Sequence, residues 1–292
     1  ISSPHQVVAV VTIPAKKKGR GQRVLPSVVE TLAREESIAC LSPVDLNCDK
    51  TVMDINGFNA DCFVVAAYGK IIPSQALAIP KKMPLNVHPS LLPRYRGAAP
   101  IAHQLLNGEK TSGVTIARIT EKLDGGEMVI QEQLPIDDSD DGITLGHKLS
   151  QMGAGLIVQI LNRIERGEVT MTPQDESKHT YAPKLTKQMG QINWHHTADL
   201  IHNQIRALLP WPVAYTTIGN KRIKVLSSQV AADTNQKEVP GTIVSIDQKN
   251  GLAVQTGSGI IDLKIVQPES GKAMDGYSFA LGRNLQAGNY FE

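Results

Sequence analysis

Apolar positions follow two different rhythms along this chain. The runs QVVAVVTIP (6–14) and DCFVVAAYG (61–69) are short, almost continuously apolar and closed by turn formers, which predicts strands buried on both faces. Between them, PSVVETLAREES (26–37) opens on proline and spaces Val28, Leu32 and Glu36 one helical turn apart, while PSQALAIPKK (73–82) holds a shorter helical turn. Strands alternating with helices predict an α/β domain with a mostly parallel sheet.

The rhythm then changes to alternation. GVTIARIT (113–120) and MVIQEQLPI (128–136) flank the turn EKLDGGE and predict a hairpin-like pair near a sheet edge. Leu145, Leu149, Met152, Leu156, Ile160 and Ile164 then form one stripe of a helix over 143–166, with Gly167 as its stop. The first domain is expected to span 1–167. Residues 168–187 are polar, carry two prolines and keep no period, so they predict a surface linker. Over 188–292, a helix from Thr197 to Leu209 precedes KRIKVLSSQV, GTIVSID, GLAVQTG and IIDLKIVQ, with Asn250-Gly251 a two-residue hairpin signal. Such evenly spaced short strands predict a small barrel.

Composition narrows the picture without deciding it. The chain has 292 residues, 41% hydrophobic and 20% charged, with a formal net charge of +2, too near neutral to mark the whole molecule as a nucleic-acid binder. A bilayer span needs about 20 consecutive apolar residues, and no such run exists. Cys40, Cys48 and Cys62 are odd in number and lack a CxxC spacing, which fits reduced thiols in a cytoplasmic protein.

Candidate chemistry concentrates in LNVHPSLLPRYRGAAP (85–100). Ligands of open α/β sheets bind beyond the carboxyl ends of strands. Period-2 alternation puts Asn86 and His88 on one side with Val87 facing away, and Pro89 and Pro93 stiffen the exit. An amide can hydrogen-bond a developing oxyanion without titrating, and an imidazole can move protons near neutral pH, a pairing suited to acyl transfer. Asp124, in KLDGGEM, is the best third group to orient the ring, although Asp-Gly also serves as an ordinary turn.

NVHPSLLPRYRGAAP, followed by TSGVTI and LDGGEM, resembles the formyltransferase family that uses 10-formyltetrahydrofolate. TYAPKLTKQMGQINW and IRALLPWPVAY narrow the resemblance to the branch acting on initiator methionyl-tRNA. The resemblance implies a Rossmann-like formyl-transfer domain followed by an OB-like barrel that helps hold tRNA, and it implies no metal; a monomer is expected. It implies Asn86, His88 and Asp124 as the catalytic trio and Ser90, Leu91, Leu92 and Pro93 as folate contacts. Tyr68, Gly69 and Ile71 would neighbour the pterin ring. It also implies that the basic loop PAKKKGRGQRVLPS, with Lys16, Lys17, Lys18, Arg20 and Arg23, enters the tRNA acceptor stem, Arg20 foremost. Against the family pattern, a first strand, loop and helix are expected before Ile1.

Alternatives remain open at this stage. Glycinamide ribonucleotide formyltransferases resemble HPSLLP and LDGGE but lack the second domain, and Gly125 stands where the tRNA branch usually has threonine. Sugar-nucleotide formyltransferases carry a related second region, and a non-catalytic RNA-binding protein would need only the barrel and the basic loop. DDSDDGITLGHK (137–148) begins like a calcium loop but has Lys148 where a bidentate Glu is required. His195, Asp199 and His202 do not form a metal set, because Thr197 is expected to start the helix after His195. Trp194 and Trp211 are expected to pack between the domains.

Overall fold

The computed structural model describes residues 3–18, 23–231 and 238–292, with the backbone alone for 16–18 and 23. Two compact units interleave along the chain: Ile1–Arg96, Gly113–Gln133 and Leu149–Thr180 form one, and Gly97–Ser112, Leu134–Lys148 and Tyr181–Glu292 the other. The 168–187 segment, expected as a linker, is thus divided: its residues to Thr180 belong to the first unit.

In the first unit a four-stranded sheet runs in the order Cys62–Val65, Met83–His88, Thr111–Arg118, Met128–Pro135. Cys62–Val65 and Met83–His88 are parallel, with Val65 opposite Asn86, whereas Thr111–Arg118 is antiparallel to the central strand, with Thr115 opposite His88. Leu85, Val114 and Ile116 are fully buried. Val87 points to the opposite face from its neighbours, where a side chain at Gly153 would strike it at 2.7 Å. That glycine lets the helix Gly142–Arg166 lie against the central strand. The predicted stripe of this helix is largely observed, with Leu145, Leu149, Leu156, Ile160 and Ile164 buried and Gly167 at φ +72.

The expectation of strands buried on both faces is corrected. Among the described residues Val10–Val11 pairs only with Cys40–Leu41, in a separate parallel pair, and Cys62–Val65 is an outer strand of its sheet. With a hydrogen-bonded strand on one side only, both are partly covered, and Val7, Val8 and Val64 stay exposed. The helix Val28–Glu35 forms with Ser27 as its N-cap, accepting from the Glu30 amide at 3.0 Å. Yet Val28 and Leu32 face outward while Glu30 and Ala33 are buried.

The second unit is built on a six-stranded antiparallel sheet, ordered Ala214–Ile218, Lys221–Val230, Ile260–Pro268, Gly251–Gln255, Ile243–Asp247, with Met274–Asp275 paired to Ile260–Pro268. Its core contains Ile201, Ile205, Val225, Ile243, Leu252, Val254, Ile261, Leu263, Phe279 and Phe291. Trp194 sits inside this core, stacked on Phe291 and donating to Thr216 Oγ1 at 3.0 Å, whereas Trp211 is largely exposed; neither matches the packing expected of both. The Asn250-Gly251 signal marks a longer loop in which Asp247 Oδ1 accepts from the amides of Lys249 and Asn250.

Ala214–Ile218, which lacks clean alternation, was absent from the strands predicted by pattern. The chain end was also not foreseen. Glu292 exchanges backbone hydrogen bonds with Thr217 on one outer strand, while Asn289 and Phe291 bond Ile243 and Gly241 beside the other. The tail thereby bonds to both outer strands of the sheet and covers backbone groups at each edge.

Candidate active site

The trio predicted from sequence converges in the first unit. Asn86 and His88 leave the same face of the central strand at its carboxyl end. Asn86 Nδ2 donates to Asp124 Oδ1 at 3.0 Å. A carboxylate can only accept, so the amide nitrogen must face it, and its second proton makes no hydrogen bond among the described residues. His88 Nε2 lies 2.9 Å from the Tyr95 carbonyl oxygen. That oxygen also can only accept, so Nε2 carries a proton, which in the neutral tautomer would place the lone pair on Nδ1. Nδ1 faces Asp124 Oδ2 at 3.7 Å, too long for a hydrogen bond but close enough for the carboxylate to stabilise a proton taken up at Nδ1 once the groups tighten. His88 is buried behind its partners, while Asn86 and Asp124 retain accessible surface and open the site on their side.

Asp124 adopts φ +47, a left-handed conformation that Asp tolerates better than most residues. Two constraints hold it there. A Cβ at Gly126 would lie 1.9 Å from the Arg118 carbonyl oxygen, so only glycine permits this approach to the neighbouring strand. Gln174 Nε2 also donates to the carbonyls of Asp124 and Gly126 at 2.8 and 2.7 Å. Gln174 is in turn gripped by Arg96, whose Nε and Nη2 both donate to its Oε1. Arg96 is fully buried and its other side forks onto Glu176, at 3.2 and 2.9 Å. Those bonds, joined by one from Lys122, hold the Glu176 carboxyl at about 2, below its ordinary 4.5.

The SLLP turn is braced from within. Thr115 Oγ1 donates to the Ser90 carbonyl and accepts from the Leu92 amide, while Gln131 Nε2 donates to the Leu92 carbonyl. Ser90 Oγ donates to the Arg94 carbonyl, and Ser90 and Leu92 are buried. Of the four residues expected to contact folate, Leu91 and Pro93 therefore offer side-chain surface, and Ser90 and Leu92 shape the turn beneath them. Gly113 makes room for Leu91, whose Cδ2 would lie 2.5 Å from a side chain added there.

The family model for formyl transferase matches residues 2–161, and that for the formyl transferase C-terminal domain matches 184–284. The chain belongs to the formyltransferase family. Among curated formyltransferases, it is 39% identical to the methionyl-tRNA formyltransferase of Sulfurihydrogenibium sp., over 100% of this chain and 94% of that one. It is 41% identical to the methionyl-tRNA formyltransferase of Carboxydothermus hydrogenoformans, over 99% and 93%. In fold it is similar to HypX from Aquifex aeolicus in complex with tetrahydrofolic acid, at TM-score 0.65 and 15% identity, covering 93% of this chain and 46% of that one. Residues 2–161 thus carry the Rossmann-like formyltransferase fold, with parallel strands and helices.

The remaining predicted positions of this formyltransferase chain are dispersed. Tyr68, Gly69 and Ile71 lie on the loop leaving Cys62–Val65, whose parallel register carries it out at the same sheet end as Asn86 and His88. Ile71 is 89% exposed, and the Tyr68 hydroxyl is buried without a hydrogen-bond partner among the described residues, its acidity weakened by desolvation. Lys16–Lys18 and Arg23–Leu25 pair as antiparallel strands, with Lys18 opposite Arg23. Arg20 lies outside the described residues.

In the acidic loop, Lys148 Nζ donates to Asp137 and Asp140 at 2.6 and 2.8 Å, filling with an ammonium the place a calcium ion would need. Thr197 caps the helix Ala198–Ala207 after His195, and His202 Nδ1 pairs with Ser228, so these groups do not converge. No cluster of three or more metal-ligating side chains occurs among the described residues.

The residues missed by sequence reasoning are Arg96, Gln174 and Glu176. Arg96 was visible inside RGAAP, but nothing in its neighbourhood predicts a partner 78 residues away. An unperiodic polar segment reads as linker unless its contacts are known.

Proposed function

We infer that this chain transfers the formyl group of 10-formyltetrahydrofolate to the α-amino group of methionine esterified to initiator tRNA, supplying formylmethionyl-tRNA for translation initiation. The observation that carries the reading is the convergence of Asn86, His88 and Asp124 at an open sheet end, in a chain about 40% identical over its length to curated methionyl-tRNA formyltransferases. The cytoplasm is the expected compartment, and no helix among the described residues is long and apolar enough to cross a membrane. We assign residues 1–167 to catalysis and 188–292 to an OB-like domain that helps hold tRNA, and we expect a monomer.

An α-amino group has a pKa of about 8, so a useful fraction is neutral near pH 7 and can attack unaided. Its nitrogen bonds to the formyl carbon, and the carbonyl electrons move to oxygen. The uncommitted amide proton of Asn86 stabilises that oxyanion. Collapse then breaks the bond from carbon to N10 of the folate. The proton lost by the amine must end on N10, and the Nδ1 edge of His88 facing Asp124 is the only paired acid and base in the trio. No net proton is gained or lost. Leu91, Pro93 and Ile71 would flank the pterin, with the unpaired Tyr68 hydroxyl available to it.

The test is a formylation assay offering 10-formyltetrahydrofolate with charged initiator tRNA, glycinamide ribonucleotide or an amino-sugar nucleotide. Product on the tRNA alone is expected, and preference for either small acceptor would reassign the substrate. A pure RNA binder would transfer nothing. For the basic loop, Arg20→Ala is expected to weaken tRNA-dependent formylation and flatten its salt dependence, each released phosphate contact lowering the slope of log affinity against log salt by about 0.9. Equal slopes for variant and parent would remove Arg20 from the RNA surface.

A further inference from the structure

We propose that a groove in the second unit, formed by Lys187, Gln188, Trp211, Tyr215, Arg222 and Lys224, binds an unpaired nucleotide of the tRNA substrate, with its base stacked on Trp211 and its phosphates held by the three cations. The proposal rests on the tRNA reading above and adds a site to it.

The chain has two tryptophans. Trp194 is buried with its indole N–H bonded to Thr216, as expected of a core aromatic. Trp211 is 51% exposed, the wrong place for so large an apolar surface unless something covers it. The backbone that presents it is strained: Val213, a β-branched residue, sits at φ 71, inside the left-handed region.

Charge points the same way. Arg222 and Lys224 alternate with the buried Ile223 and Val225 on the strand Lys221–Val230, so both project from its outer face. Lys224 stands opposite Tyr215, and the Arg222 guanidinium lies 4.0 Å from the centroid of the Tyr215 ring. A side chain at Gly190 would meet that ring at 3.1 Å, so glycine there lets the backbone pack close against it. Lys187 completes the rim. None of these three cations makes an ion pair among the described residues, although Lys110, Lys122, Lys148 and Lys264 do, and no carboxylate lines the groove.

A partner must therefore bring a flat π surface and negative charge within one short span. An unpaired nucleotide brings both, and the cavity volume of about 420 Å³ has room for it. A base inside a duplex is stacked and cannot reach the indole, which points to a single-stranded part of the RNA.

Trp211 itself supplies the measurement, because Trp194 is shielded and contributes a steady background. Titration of the full chain with a short single-stranded RNA, and separately with charged initiator tRNA, should quench fluorescence saturably. Trp211→Ala should abolish the quench and raise the KM for charged tRNA about tenfold, with Trp211→Tyr recovering most of the affinity through its retained ring. Arg222→Gln with Lys224→Gln should lower the slope of log affinity against log salt by about 1.4 for single-stranded RNA. An unquenched Trp211, or a KM and salt slope unaltered by these changes in a protein that still formylates tRNA, overturns the groove and leaves the formyltransferase reading intact. Stronger quenching by an acidic peptide than by RNA also overturns it, in favour of a protein partner. Failure of the parent protein to formylate charged tRNA would instead sink the reading beneath it.

Discussion

Exchanging Asp124 for asparagine is expected to lower turnover about a hundredfold to a thousandfold while leaving affinity for the folate donor nearly unchanged. Asparagine is the informative replacement because the position requires φ +47, which Asn tolerates, whereas alanine would add backbone strain to the loss of charge. The amide keeps the size of the carboxylate and can still accept from Asn86, but it carries no charge to stabilise the proton that His88 Nδ1 takes up from the attacking amine. Asn86→Ala should fall equally far by a different route, since it removes the oxyanion donor and leaves Asp124 without its amide partner. Steady-state kinetics with charged tRNA, alongside direct measurement of donor binding, separate these cases. Turnover of either variant within a few-fold of the parent would refute the assignment of the trio.

Arg96→Met should destabilise the protein by about 2–3 kcal/mol. Orphaning a buried charge typically costs about 3–5 kcal/mol, but the partner left here, Glu176, is half-exposed and can rehydrate. The guanidinium anchors Gln174, and Gln174 anchors the Asp124 turn, so turnover should drop by more than the KM for either substrate rises. Arg96→Lys should rescue little, because one ammonium cannot reproduce the fork that reaches Gln174 and Glu176 together.

The same contact predicts a pH dependence. The Glu176 carboxyl is held at about 2 in the folded chain against an ordinary 4.5, first by Arg96 and then by Lys122. Its folded value is depressed, so its stabilisation is complete above about 4.5 and is lost as the pH falls toward 2. Thermal unfolding of parent and Arg96→Met should therefore differ most near neutral pH, and the gap should narrow in acid to what the Gln174 bonds contribute. A gap that stays constant down to pH 3 would show that the Arg96–Glu176 pair contributes nothing.

Much of the site was legible in sequence because its key spacing is local. Asn86 and His88 are two residues apart on a strand, and a period of two places them together whatever surrounds them. Asp124 could be proposed because two following glycines signal a tight approach, and the Cβ clash at Gly126 gives the reason. The strands 6–14 and 61–69 were misread because a continuous apolar run reports composition, while burial depends on neighbours that the run does not specify. The partners of Gln174 and Glu176 left no trace in sequence for the opposite reason, since those contacts join residues far apart in the chain.

By itself, then, the chain's residue order determined the alternation of strands and helices, the long helix with its apolar stripe and glycine stop, and the shared face of Asn86 and His88. Each follows from interactions between residues a few positions apart. Only tertiary structure decided that His88 is tautomerically set by the Tyr95 carbonyl, and that Arg96, Gln174 and Glu176 brace the Asp124 turn. The same holds for the tail that bonds to both outer strands of the second unit's sheet and for Trp211 standing outside the core. Hydrogen bonds between residues far apart in sequence leave no periodic trace, because one donor and one acceptor suffice and any polar residue at a suitable distance can supply them.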